Sequence, residues 1–302
     1  MPNLDYYMEN SKKKLKEKIR KGIPDSLRGE VWLKISGVQK LREGHENLYN
    51  ELISEINENE TSKVHDEEVI IKDMHRTFPK NILFKGKLGD GQRKLYRILT
   101  CFTMRNKKVG YVQGMSFICA FFLSYETEEK AFWLLEVIMK NYHLQELYYP
   151  GFPGLKKEFF VLLKYMKKLL PNIYNQFKRY KVFPTLYASS WYLTCFTNSL
   201  PFKTAVRILE CYLFEGKKIL LRFTLGILAL KESEIVSKKN FFGIMTIIKT
   251  ITEDIDINEL FKKSFGLSIT RKKMLKYENL YKDIISGKKT GEEEIMEQIQ
   301  ME

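Results

Sequence analysis

Two short stretches of this 302-residue chain carry residue types whose spacing could serve chemistry. The first runs Ile70-Ile71-Lys72-Asp73-Met74-His75-Arg76 and leads into Thr77-Phe78-Pro79. On a helix, residues three apart are surface neighbours, so Ile70, Asp73 and Arg76 share one side. Ile70 can anchor that turn in the core. Asp73 can then accept a hydrogen bond from Arg76 and restrict where its guanidinium points. Phe78 precedes a proline, which disfavours helical geometry, so Arg76 is expected in the last turn. A cation is favoured at that end by the helix dipole. The second stretch is Gly110-Tyr111-Val112-Gln113-Gly114-Met115, in which two glycines that admit a closely approaching backbone bracket a tyrosine and a glutamine. A glutamine amide can accept a hydrogen bond from water while donating one to a phosphate oxygen, the geometry that orients water for attack on a γ-phosphate. Spacing alone leaves plainer alternatives open: a surface ion pair worth under about 1 kcal/mol, and a helix-entry turn with a solvated glutamine.

Other reactive constellations are missing. The four histidines, His45, His65, His75 and His143, show no H-E-x-x-H spacing. No Gly-x-Ser-x-Gly elbow and no phosphate-cradling glycine fingerprint occurs, so a nucleotide site of the chain's own is not expected. Cys101, Cys119, Cys195 and Cys211 are widely spaced in apolar surroundings, which indicates neither a zinc site nor a disulfide framework and reads better as buried structural thiols.

The elements that must position these residues are helical. Phe159, Leu162, Leu163, Met166 and Leu170 follow the i, i+3, i+4, i+7 rhythm of an amphipathic helix. Ala205, Ile208, Leu209, Tyr212 and Leu213 repeat it, as do Phe241, Ile244, Met245, Ile248 and Ile251. Thr127 before Glu128 and Glu129 reads as an N-cap, and Asp256 with Glu259 as a capping box. Period-two alternation is absent, so the expected fold is all-α: one domain of many packed helices in two helical subdomains. Pro79 to Gly91 is expected to be a loop, and Pro150-Gly151-Phe152-Pro153-Gly154 to separate the subdomains near 150–154. The organisation then reads as a basic N-terminal extension (1–20), a helical domain (21–285) and a charged tail (286–302), with both ends fraying or forming solvated helices.

The balance of 51 basic over 37 acidic residues gives a net charge of +14, which favours acidic partners without choosing among them. The first ten residues lack the apolar core of a secretion signal, and no run reaches the ~18 apolar residues of a membrane span. The expectation is a soluble, intracellular chain. Lys12, Lys13, Lys14, Lys16, Lys18, Arg20 and Lys21 form the densest basic patch. It reads first as a solvated charge run, then as a surface for nucleic acid or phosphoinositide.

Taken together, the two reactive stretches resemble the paired signature of the TBC domain of GTPase-activating proteins for Rab-type small GTPases. The pattern I-x-x-D-x-x-R is met by Ile70, Asp73 and Arg76, and Y-x-Q-G-M by Tyr111, Gln113, Gly114 and Met115. Gly22-Ile23-Pro24, Leu27-Arg28, Val31-Trp32, Ala131-Phe132-Trp133, Trp191-Tyr192-Leu193-Thr194, Leu200-Pro201-Phe202 and Phe214-Glu215-Gly216 follow the family's order. The similarity extends from about Lys21 to the region of Leu267. It departs at Ser116, where an asparagine is common, at Leu209-Glu210-Cys211, where a tryptophan–aspartate pair is often seen, and at Ser190.

The resemblance implies a dual-finger activator rather than an enzyme with its own nucleotide site. Arg76 would neutralise charge on the transferring phosphoryl group, and Gln113 would place the water. Ile70, Asp73, Tyr111 and Gly114 would support those fingers, while Arg28 and Trp32 would be architectural anchors. The implied partner is a GTP-bound Rab-family GTPase that brings GTP and Mg²⁺ with it; no cofactor or metal of the chain's own and no nucleic acid are expected. Vesicle trafficking, a cytoplasmic location and peripheral contact with anionic endomembranes follow from the same resemblance. The alternative is a non-catalytic Rab-binding scaffold of the same fold.

Overall fold

The apolar stretches have to be surrounded by other elements, and helices do this throughout the computed structural model, which describes residues 4–58, 66–86, 89–251, 253 and 255–299. Every regular element among the described residues is helical. The chain divides into two units, one reaching Tyr148 and including Leu209–Phe214, the other comprising Tyr149–Ile208 and the chain from Glu215.

In the first unit, α1 (Leu4–Asn10), α2 (Lys12–Lys21), α3 (Arg28–Ser36), α4 (Val38–Arg42) and α5 (Leu48–Glu58) precede the reactive region. Then come α6 (Glu67–Arg76), α7 (Asp90–Arg105), α8 (Met115–Leu123) and α9 (Glu128–Lys140). Helix α8 is apolar on every side, and all its residues are buried against α6, α7 and α9. Each of Phe117, Ile118, Phe121 and Phe122 contributes roughly 1.5–3 kcal/mol through burial, so α8 is the rigid post to which the reactive stretches attach.

The second unit holds α10 (Pro153–Leu169), α11 (Pro171–Arg179), α12 (Pro184–Leu193), the start of α13 (Phe202–Glu215), α14 (Lys218–Leu230) and α15 (Glu232–Ser237). It continues with α16 (Phe241–Ile251), α17 (Ile257–Gly266), α18 (Arg271–Ile285) and α19 (Glu293–Gln298). Here α14 is the central helix, buried from Ile219 to Ala229 and packed on α17. The approach is close because Gly226 has no side chain: a Cβ there would lie 1.9 Å from Ser264 Oγ. Arg222, buried in the same helix, donates through Nη1 to the Ser264 and Leu267 carbonyls (2.7 and 2.8 Å) and through Nη2 to that of Ile269 (3.1 Å). The Ser264 carbonyl also accepts from the Leu267 amide, and the Leu267 carbonyl from the Ile269 amide, so the guanidinium adds charge-assisted bonds to the segment where the chain leaves α17. Arg222→Leu would remove three charge-assisted hydrogen bonds, and a loss of about 3 kcal/mol is expected in urea unfolding.

Several expectations need correction. Gly91 is not in a loop: α7 begins at Asp90, and Gly91 is needed there because a Cβ would sit 2.1 Å from the Leu83 carbonyl oxygen. Lys87 and Leu88 of the expected loop lie outside the described residues. Thr127 occupies the N-cap of α9, yet its side chain makes no capping bond. The first-turn acid Glu128 is instead taken by Arg97 (both contacts 2.6 Å) and the Tyr49 hydroxyl (2.7 Å). Asp256 does cap α17, accepting from the Glu259 amide at 2.7 Å.

The described part of each end is helical, with a mostly exposed surface and a few apolar residues docked. Leu4, Leu15 and Ile19 are buried in the first unit. Ile295 and Ile299 are buried in the second, where Glu294 accepts from the Tyr174 hydroxyl at 2.6 Å and pairs with Lys178 at 2.9 Å. A few apolar residues among the charges suffice to dock each end. All four cysteines are free and buried, and burial pushes the Cys101 thiol up to about 12, which keeps it inert. Among the described residues, no helix is long and apolar enough to cross a membrane, and no group of metal-ligating side chains assembles.

Candidate functional site

Helix α6 ends at Arg76, three positions before Pro79, which keeps Phe78 out of helical geometry. Ile70 is fully buried and fixes the face; Asp73, one turn later, is fully buried as well. Thr77 turns extended, and Phe78 takes the left-handed region at φ +44° ahead of Pro79. That conformation costs a bulky residue roughly 1–2 kcal/mol. It is offset by edge-on packing of the Phe78 ring on Phe117 (5.3 Å) and Phe121 (5.1 Å) of α8. The strained step therefore ends the helix where the arginine can point outward, and Arg76 keeps about half its side chain exposed (49%).

A buried carboxylate must be fully hydrogen-bonded, and Asp73 is. Its Oδ1 pairs with Arg76 Nη2. Its Oδ2 accepts from the Tyr111 hydroxyl at 2.5 Å and from the Gly114 amide at 2.9 Å. Gln113 sits between those two donors in sequence and is exposed. Burial, and then the neighbouring Asp73, push the Tyr111 phenol well above its ordinary range, so it stays a neutral donor. One carboxylate thus holds the base of the arginine and both sides of the glutamine turn.

Two further contacts brace that turn. Asp66, at the N-cap of α6, makes no capping bond; its Oδ2 accepts instead from the Tyr111 amide at 2.6 Å. Gly110 is required at this point, since it adopts φ +62° and a Cβ would lie 2.8 Å from the same Oδ2. On the other side, Thr77 Oγ1 donates to the Asp73 carbonyl and lies 2.7 Å from the Ser116 hydroxyl. Serine at position 116 therefore still links α8 to the end of α6.

Of the residues singled out from sequence, Ile70, Asp73, Arg76, Tyr111, Gln113 and Gly114 come together, whereas Arg28 and Trp32 lie on α3. Trp32 is buried edge-on against Phe122 (5.8 Å) and Tyr125 (5.0 Å). Arg28 Nε donates to Glu210 Oε1 at 2.6 Å, Nη1 donates to the Tyr125 hydroxyl at 3.1 Å, and Asp25 pairs with the same Nη1. Burial opposes the charge on Arg28, but Glu210 outweighs it and raises the guanidinium pKa. Glu210 also accepts from the Ile23 amide at 3.2 Å, so this departure from the family pattern preserves a carboxylate anchor. Sequence reasoning missed Asp66 and Thr77. An acid at a helix start was the only available hint for Asp66, and it would have suggested a cap.

Chemically, the site offers a guanidinium and an amide to the outside, both rooted in one buried carboxylate on a helical frame. That defines an all-helical module with two polar side chains at its surface. The chain belongs to the Rab-GTPase-TBC domain family, whose model matches residues 25–236. Growth hormone-regulated TBC protein 1 of Xenopus tropicalis is 35% identical to it over 242 residues, 80% of this chain and 69% of that protein. TBC1 domain family member whacked of Drosophila melanogaster is 30% identical over 90% of this chain and 77% of that one. Among solved structures, the Chlamydomonas flagellar RabGAP TBC domain matches with a TM-score of 0.74 at 28% identity, over 88% of this chain and 90% of that chain.

Proposed function

We propose that this chain accelerates GTP hydrolysis by a Rab-type small GTPase in its GTP-bound form, supplying Arg76 and Gln113 in trans. The observation that carries the reading is the double use of Asp73, which ties the arginine and the glutamine turn to one fully buried group. A scaffold that only bound its partner would have no need of this shared root. Arg76 neutralises charge that develops on the γ-phosphoryl oxygens. Gln113 orients the attacking water, taking over from the partner's own switch glutamine. Asp73 and Tyr111 act through these two side chains and are positioning residues. GTP and Mg²⁺ arrive with the partner, so the chain contributes geometry and charge rather than a cofactor. An arginine supplied in trans is worth about 10³–10⁵ in rate, or roughly 4–7 kcal/mol of barrier. Its cellular setting in this reading is vesicle trafficking at the cytoplasmic face of endomembranes.

The test is GTP hydrolysis by a panel of purified Rab GTPases with and without the protein. Gln113→Ala is expected to abolish most of the acceleration, whereas a Rab lacking its own switch glutamine should still respond to the native chain. If Gln113→Ala is as active as the native chain, the glutamine half of the mechanism is wrong. Absence of acceleration across the panel, with the protein folded and still binding a Rab, leaves a scaffold.

A further inference from the structure

The turn that follows Arg76 carries two aliphatic side chains into solvent. Ile82 is 79% exposed and Leu83 44%, on a loop of the first unit between Phe78 and Phe84. Exposed aliphatics are ordinary when scattered singly, but a loop tip is normally polar. This tip is held out on a fixed frame. At its entry, Phe78 packs on Phe117 and Phe121 of α8. At its exit, Phe84 is buried, and its carbonyl accepts from the buried Gln92 side chain at 2.9 Å. Between them, the Asn81 amide returns to the Phe78 carbonyl (2.9 Å), and the Asn81 carbonyl receives the Phe84 and Lys85 amides (3.0 and 2.9 Å). The Asn81 side chain accepts from the Leu83 amide at 2.9 Å. The Leu83 carbonyl lies so close to α7 that only glycine fits at position 91. With both ends anchored and its amides paired, the tip loses little freedom when something closes over it.

The same frame ties the tip to the arginine. The turn from Phe78 to Asn81 keeps the Ile82 Cα within about 18 Å of the Arg76 Cα. A standard interface of about 800 Å² per partner bridges that span. Val69, 43% exposed, and Lys72 lie on the α6 stripe of Arg76, seven and four positions before it. Lys72, Lys80 and Lys85 are exposed beside the arginine, and Lys107 and Lys108 just before the glutamine turn. Among the described residues, none of these five lysines is paired with a carboxylate. The exposed acid of α6, Glu68, lies in its first turn, at the other end from Arg76. An apolar centre with a charged rim is the anatomy of a protein-binding surface, and a rim of one sign steers a partner of the other.

We propose, resting on the role of Arg76 and Gln113 as fingers, that the Ile82–Leu83 tip docks in an apolar patch of the GTP-bound GTPase beside its nucleotide site. The lysines around the tip face acidic side chains at the rim of that patch. Contacts away from the reacting phosphoryl group are made equally in the ground and transition states, so they lower KM and leave kcat unchanged. A GTPase whose patch does not fit the tip is rejected, which makes Ile82 and Leu83 specificity residues. A lipid surface or a second copy seated on the tip would cover Arg76 as well and keep it from a nucleotide.

The experiment uses the full chain and the panel of Rab GTPases. Binding is measured to each GTPase loaded with a non-hydrolysable GTP analogue, and hydrolysis is followed with GTP at varied concentrations of the GTP-loaded GTPase. Ile82→Ser with Leu83→Ser should weaken binding and raise KM by about tenfold or more, with kcat within about twofold of native. Ile82→Val with Leu83→Met keeps the tip apolar and should retain most of the affinity. Phe242→Ser, at an exposed apolar position of the second unit, should leave KM and kcat as they are. The melting temperature of the tip variants should change little, because Ile82 is largely in solvent. Native KM in the serine variant, with hydrolysis still accelerated, would overturn the docking and leave the fingers standing. A lower kcat at native KM would also overturn it, by making the tip part of finger placement. If a GTPase binds without being accelerated, the finger mechanism fails and binding alone decides: a tenfold loss in the serine variant sustains the docking, and equal binding sinks it. Silence of the whole panel in both assays removes the activator and the docking together. Unchanged kinetics with loss of self-association or of vesicle flotation would give the tip to a second copy or to lipid, against the proposal.

Discussion

Arg76→Ala is expected to remove about 10³–10⁵-fold of the acceleration of GTP hydrolysis, while binding of the GTP-loaded partner changes far less. The difference arises because the guanidinium acts on charge that develops in the transition state, and interactions made only there lower kcat rather than affinity. The fold should persist with a lower midpoint in urea, since the side chain is half exposed and Asp73 keeps Tyr111 and Gly114 as donors while losing its counter-ion. Arg76→Lys is expected to fail almost as completely. A lysine ammonium is a point charge without a planar fork, so it cannot hold Asp73 through one edge and span phosphoryl oxygens through another. Single-turnover hydrolysis at saturating activator measures this directly. Acceleration within a few fold of the native level in Arg76→Ala would place the catalytic charge elsewhere.

Asp73→Asn should have an effect of comparable scale for a different reason. The carboxylate receives Arg76 on one oxygen and both Tyr111 and Gly114 on the other, all away from water. Asparagine keeps the shape but retains a single acceptor oxygen, so its NH₂ must face donors. Removing one partner of a buried charged network typically costs about 3–5 kcal/mol, and here that cost falls on the geometry of both fingers. Loss of roughly 10²–10³ in activated hydrolysis is therefore expected, with a lower midpoint in urea. Tyr111→Phe deletes one donor only and should cost about tenfold or less.

Non-additivity separates positioning from direct chemistry. In an Arg76→Ala/Gln113→Ala background, Asp73→Asn should reduce hydrolysis little further, because nothing remains for it to position. Full multiplication of the effects would mean that Asp73 acts independently of the two fingers. Read with the Gln113→Ala assay, this series distinguishes one shared root from two separate fingers.

The parts of the site that were readable from the sequence are local. Asp73 and Arg76 are three apart on a helix, and the helical period alone makes them neighbours. The termination of α6 at Arg76 follows from Pro79, whose ring restricts the residue before it. The same local logic misled at Gly91 and Thr127. Gly91 reads as loop punctuation, but a close approach by the Leu83 carbonyl requires it inside a helix. A threonine in a capping position lost the capping role because no bond forms from its side chain.

By itself, the sequence determined an all-helical protein, the placement of Arg76 at a helix end beside Asp73, and, through its ordered motifs, the family. Periodicity, proline chemistry and motif order are properties of neighbours along the chain, so they need no knowledge of packing. Only the tertiary structure decided that Asp73 also receives Tyr111 and Gly114, 38 and 41 positions away. The same holds for Asp66 bracing the Tyr111 amide from 45 positions away, and for the docking of the charged tail through Ile295 and Ile299. The contacts of the site exist because α8 is buried on all sides and draws α6 and the glutamine turn against it, whereas the tail docks on α10 of the other unit. Such convergence is a consequence of the whole core rather than of any stretch within it.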